Sequence, residues 1–147
     1  MTTQLNSSWA KGQVLPDLTI EPISRTTLAL FAGASGDHNP VHIDIDAAKA
    51  AGFDDVFAHG MLVMAYLGRA VSQWAPQLAL HSYQVRFVKI TQVGDRLRCR
   101  ASVSNVAIDN DGHKRIELEL AVSDAADEIK VAGTASYILH SAEGIES

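Results

Sequence analysis

Three residue types able to move a proton or orient a water molecule fall within six positions of one another: the carboxylate of Asp37, the amide of Asn39 and the imidazole of His42. They lie in the run Gly36-Asp37-His38-Asn39-Pro40-Val41-His42-Ile43-Asp44, where Gly36 and Pro40 bracket and shape the backbone. A carboxylate and a neutral imidazole on one short loop can grip a water between them and shuttle its protons. A second group is His59-Gly60-Met61-Leu62. If a helix begins there, its first N–H groups are free and the positive end of its dipole points outward. Gly60 has no side chain to keep a ligand oxygen away, so this end suits an oxyanion or an enolate.

Plainer readings stand beside these. Asp37, Asn39 and Asp44 are common turn and cap residues. His38 reads as a solvated neighbour, His59 as a helix-start residue bonding backbone, and Met61 and Met64 as core. Asp37, His38, His42, Asp44 and Asp46 form a candidate metal-ligand set, but their spacing fits no zinc or calcium signature, and the expectation is no metal. No glycine-rich nucleotide loop, G-x-S-x-G elbow or C-x-x-C pair is present.

The elements that must hold these groups differ between the two halves of the chain. In the first half, Ser24 can cap a helix through Ala34 with Leu28, Leu30 and Phe31 as its apolar face, ended by Gly36 and Pro40. Asp46 can cap a short helix over Ala47–Ala51, stopped by Gly52. The segment Gly60–Trp74 is apolar on every face from Met61 to Leu67, as a buried helix is. The second half alternates with period two, the mark of strands with one buried face. Strands are expected over Leu80–Ile90, Arg96–Val103, Arg115–Val122 and Glu128–His140. Gly94-Asp95, Asp109–Gly112 and Asp124–Asp127 mark the turns. A further strand near Val14–Ile20 belongs at an edge because of Pro16. One buried helix and a meander of four long strands outline an α+β hotdog fold, an antiparallel sheet wrapped around a long central helix. Neither half could bury its apolar surface alone, so residues 1–147 read as a single domain. The sheet edges left open point to a dimer.

Hydrophobic residues make up 47% and charged residues 20%, as in an ordinary globular protein and unlike a disordered chain. The net charge of −5 argues against a nucleic-acid partner. The longest apolar run, Met61–Leu67, is seven residues, against about 20 for a membrane span. The N-terminus shows no secretory signal and the lone Cys99 reads as core, which together suggest a cytoplasmic setting.

The run Phe31 to Ala48, with Ser35-Gly36-Asp37-His38-Asn39-Pro40-Val41-His42-Ile43-Asp44 at its centre, resembles the hydratase-2 motif of MaoC-like dehydratases and (R)-specific enoyl-CoA hydratases. Ala58-His59-Gly60-Met61-Leu62 resembles the start of that family's central helix. Tyr83-Gln84-Val85-Arg86-Phe87 with Val93-Gly94-Asp95 resembles its first long strand and following turn. The resemblance implies reversible hydration of trans-2-enoyl thioesters to (3R)-hydroxyacyl thioesters of CoA or ACP. Asp37 and His42 would form the catalytic dyad, Asn39 would position the site, and the Gly60 N–H would bind the thioester oxygen. No cofactor is implied, since the thioester itself is the electron sink. The acyl chain would need an apolar tunnel beside the central helix, and Arg69, Arg86, Lys89 and Arg96 are the candidates for the carrier's phosphates. A homodimer is implied, with a higher oligomer or a heterodimer as alternatives. Two departures stand out: Ile90 replaces a proline of many relatives, and Met64, Ala65 and Tyr66 occupy the stretch where some (R)-hydratases carry a supporting serine. The rival functions are a hotdog thioesterase and a non-catalytic acyl-thioester-binding subunit of a hotdog heterodimer.

Overall fold

A computed structural model describes residues 9–75 and 79–140. The two chain ends within the single-domain reading, and Pro76, lie outside the described residues. In chain order the elements are β1 (Leu18–Thr19), α1 (Arg25–Ser35), a 3-10 turn (Pro40–His42), α2 (Ile45–Ala50), α3 (Gly60–Trp74), β2 (Leu80–Phe87), β3 (Arg98–Ile108), β4 (Lys114–Ser123) and β5 (Ile129–Leu139). The strands form one antiparallel sheet in the order β1-β3-β4-β5-β2. Period-two alternation puts Cys99, Ala101 and Val103 of β3, Ile116, Leu118, Leu120 and Val122 of β4, and Val131, Ala135 and Tyr137 of β5 in the core. The helix α3 lies against that face. The Tyr83 and Tyr137 hydroxyls donate to the Met64 and Val71 carbonyls at 2.7 and 2.8 Å. At its far end the Trp74 indole N–H donates to the Pro16 carbonyl at 2.7 Å. This is the expected α+β hotdog arrangement, and the Cys99 thiol inside it is pushed up to about 12 by burial.

Four local expectations need correction. The long strands are not a simple meander: β3, β4 and β5 are hairpin neighbours, but β2 pairs with β5. Gly94-Asp95 is therefore a turn within a crossing over the sheet end, and its Gly94 N–H is bound to the Ile23 carbonyl at 2.7 Å. The short helix begins two residues earlier than expected, because Asp44, not Asp46, caps it by accepting from the Asp46 and Ala47 N–H groups. Near Val14–Ile20 the strand shrinks to β1 plus a Val14–Ser102 bridge on either side of Pro16, at the sheet edge. Finally, α3 is covered only on its sheet side: Met61 is 55% exposed and Ala65 is also exposed, so Met61 is not core. In α1, similarly, Leu28 and Ala32 are buried while Leu30 is exposed.

An ion cluster missing from the sequence reading pins the crossing. The Lys130 ammonium is buried beside Asp124, Asp95 and Glu128, at 3.2, 3.5 and 2.8 Å. Burial opposes its charge, but these carboxylates hold its pKa above the ordinary lysine value. The Lys130 carbonyl also accepts from the Val88 and Lys89 N–H groups, which fixes where the chain leaves β2. Among the described residues no helix is long and apolar enough to cross a membrane.

Candidate active site

The helix α1 stops where Gly36 turns left-handed, at φ 76°, its N–H donating to the Ala32 carbonyl. Two side-chain turns follow. Asp37 Oδ1 accepts from the Asn39 N–H at 3.2 Å, and Asn39 Oδ1 accepts from the Val41 N–H at 3.3 Å. Pro40, with its fixed φ, then opens the 3-10 turn. This folds His42 back under the loop, where it is buried, while Asp37 stays exposed. Asn39 thus acts on the backbone between the two groups.

His42 Nδ1 lies 2.8 Å from the Phe57 carbonyl oxygen. A carbonyl only accepts, so Nδ1 carries the proton and Nε2 presents a lone pair. The Phe57 ring sets its edge against the imidazole, centroids 4.9 Å apart. On its other side His42 stacks on His59 at 4.0 Å and 29°. A carboxylate oxygen of Asp37 and one ring nitrogen each of His42 and His59 lie within 4.8 Å of one another. The Asp37 and His42 groups are thus close enough to bind one and the same small molecule.

The same three residues are the ligand cluster to weigh for a metal. Each ring already donates from one nitrogen to a carbonyl, which leaves one lone pair per imidazole for any ligand role. A tetrahedral or facial ligand set needs convergent lone pairs. Of the other ligand candidates, His38 is exposed and Asp44 is committed to capping α2.

Gly60 is the first residue of α3, and the His59 side chain makes no capping bond there. Its N–H therefore has no partner within the helix. A Cβ on Gly60 would meet three Phe87 ring carbons at 3.0–3.3 Å, so a glycine is what lets this ring lie against the helix start. Beside it opens a mainly apolar pocket of about 240 Å³, with Phe57, Val63, Phe87, Ile90 and Val131 among its walls. Of the four candidate phosphate-binding cations, Lys89 lines this pocket and Arg86 does not. Arg86 faces a larger groove of about 640 Å³ on the opposite face of the sheet, together with Arg100. Arg96 pairs with Glu21, and Arg69 lies over the Tyr66 ring.

His59 bonds backbone, as expected of it, but the acceptor is the carbonyl of Asp37, at 3.2 Å. Its stacking on His42 is what sequence reasoning missed. The one available signal was a histidine at a helix start, where Ser, Thr, Asp or Asn would cap.

A family model of the MaoC like domain matches residues 11–126. The chain is 29% identical over 141 residues to a protein named UPF0336 from Streptomyces avermitilis, covering 90% of this chain and 93% of that one. It is 34% identical over 90 residues to 3-hydroxyacyl-thioester dehydratase Z of Mycobacterium tuberculosis, covering 57% of this chain and 60% of the relative. Among solved structures, an R-hydratase from Pseudomonas aeruginosa superposes with a TM-score of 0.75 at 27% identity, covering 96% of this chain and 93% of that one.

Proposed function

Because the chain belongs to the MaoC-like family, we propose that it catalyses reversible hydration of trans-2-enoyl thioesters of CoA or ACP to the (3R)-hydroxyacyl thioesters. The observation that carries this reading is the convergence of Asp37 and His42 next to the open start of α3. Water lies between the Asp37 carboxylate and His42 Nε2. Its oxygen bonds to C3 as one member of the pair takes its proton, and the pair gives a proton to C2 on the same face, so that H and OH are added and the pair ends with its starting number of protons. The C2–C3 double bond becomes a single bond, and the negative charge that passes through the thioester oxygen is held by the Gly60 N–H. The bond from His42 Nδ1 to the Phe57 carbonyl supports this role, since it leaves Nε2 free for the water. The pocket beside Gly60 takes the first part of the acyl chain. Names of relatives agree in chemistry: a 3-hydroxyacyl-thioester dehydratase and an R-hydratase. The reaction needs no cofactor.

The test is crotonyl-CoA hydration by the purified chain. Coupled to an (S)-specific 3-hydroxyacyl-CoA dehydrogenase, the product should yield no NADH, while an (R)-specific enzyme consumes it. Strong NADH formation with the (S)-specific enzyme would overturn the stereochemistry. CoA release without hydration would indicate a thioesterase, and neither reaction a non-catalytic subunit.

The active form is a homodimer. β2 has no neighbour on its outer side among the described residues. Large apolar side chains are exposed on it, just beyond it and on the uncovered face of α3: Phe87, Val88, Ile90 and Met61. Light scattering at micromolar concentration should show twice the 15.8 kDa chain mass; a monomer alone would count against this.

A further inference from the structure

We propose that His59 is a positioning residue of this site, one that fixes the backbone of Asp37 through Nε2 and braces the His42 ring by stacking. The inference rests on the dyad reading above. His59 is 1% exposed and touches three parts of the site at once. Its Nε2 lies 3.2 Å from the Asp37 carbonyl oxygen, its ring stacks on His42 at 4.0 Å, and Phe31 sets an edge against it at 4.9 Å. The next residue is Gly60.

A helix-start role does not account for the imidazole. The side chain makes no cap bond, and its Nδ1 is buried without a hydrogen-bond partner. Buried polar atoms without partners are uncommon and unfavourable. A phenylalanine would fill the same space with no orphaned nitrogen. What the imidazole adds is the N–H donated to Asp37, the residue between left-handed Gly36 and the two side-chain turns. That bond ties the carboxylate-bearing loop to the start of α3, 22 residues further along. Stacking limits rotation of the His42 ring out of the plane that aims Nε2 at the water. Burial and the neighbouring His42 both hold the His59 pKa below the ordinary histidine value. The brace thus stays neutral while its partner exchanges protons.

Two substitutions separate the functions. His59→Phe keeps a ring against His42 and removes the donor; His59→Gln keeps a donor and removes the ring. A displacement of about 1 Å in a reacting group can lower a rate on the order of 10²-fold, so each variant should lose ~10-fold or more in crotonyl-CoA hydration kcat, with KM changed less than about twofold. In ¹⁵N spectra without substrate, His59→Gln should shift the His42 ring-nitrogen signals away from their wild-type pattern as the stacked ring is lost, with the proton still on Nδ1 against the Phe57 carbonyl. His59→Phe should keep that pattern but shift the amides of residues 36–38. Folded variants with unchanged kcat, unchanged His42 pattern and unchanged loop amides would overturn the proposal. The wild-type chain supplies a test free of variants: His59 must be the Nε2–H tautomer and His42 the Nδ1–H tautomer, and the reverse for either overturns it. These spectra use no substrate. A wild-type chain inactive on enoyl thioesters would therefore sink the hydratase reading while leaving the role of His59 to be decided by the spectra alone.

Discussion

Asp37→Asn should lower kcat for enoyl-thioester hydration by at least ~10²-fold, the usual contribution of a general acid–base group. Asparagine has nearly the same shape and keeps an Oδ1 that can accept from the Asn39 N–H, the bond that shapes the loop. What it loses is the negative charge and the ability to take a proton. Stability should therefore change by less than ~1 kcal/mol, with the sign free to be a gain because active-site polar groups are often held at the expense of folding. His42→Gln should lose a similar factor in rate. It also gives up the bond to the Phe57 carbonyl and the stack on His59, so it should be less stable than Asp37→Asn by roughly 1 kcal/mol. The double variant should lose far less than the product of the two factors, because both groups act on one water. The competing reading makes Asp37 only a turn residue. Asn serves about as well as Asp there, and the Asp37→Asn variant would keep full activity. That outcome would end the mechanism proposed here.

The approach of Asp37 to His42 was legible because it is local. Gly36 stops α1, Pro40 starts the turn, and the two residues have few other ways to lie. The part played by His59 was not legible, since it depends on a contact across 22 residues between a loop and a helix start. The strands show the same division. Alternation told which side of β3, β4 and β5 is buried, since a one-residue slip would expose the whole apolar set. It said nothing of neighbours: the segment between β2 and β3 carries the turn signal of a hairpin, yet β2 pairs with β5 and β3 with β1 and β4. Asp44 and Asp46 are both acidic residues at a helix start. Only the position of the first turn decides that Asp44 caps while Asp46 sits inside the turn, favourable to the dipole. For α3, uniform apolarity pointed to full burial, yet one chain covers only the side facing the sheet. The exposed Met61 lies on the surface that the proposed dimer would cover.

Gly133→Ala should be the most damaging single methyl in the described part of the sheet. Gly133 sits in β5 between Leu120 of β4 and Val85 of β2. A Cβ there would come within 2.2 Å of the Gln84 carbonyl oxygen and 3.1 Å of the Val85 Cα. Both are backbone atoms, so no side-chain rotation relieves the clash and β2 must move away from β5. Overpacking of this kind costs typically 1–3 kcal/mol, and Tm should fall by roughly 3–10 °C for a domain of this size. β2 carries Tyr83, bonded to the Met64 carbonyl, and Phe87, lying against Gly60. Its displacement should therefore also weaken dimerisation and lower activity without touching Asp37 or His42. Gly33→Ala is the matched control. Gly33 lies in α1, where an added Cβ meets nothing within 4 Å, and alanine should stabilise the helix by roughly 0.5–1 kcal/mol. The same methyl is thus expected to act with opposite sign at two glycines, because one faces a strand's backbone and the other open space. A Gly133→Ala chain that melts at or above the wild-type temperature would show that β2 and β5 are not packed this closely, and would remove β2 as the rigid wall on which the pocket beside Gly60 depends.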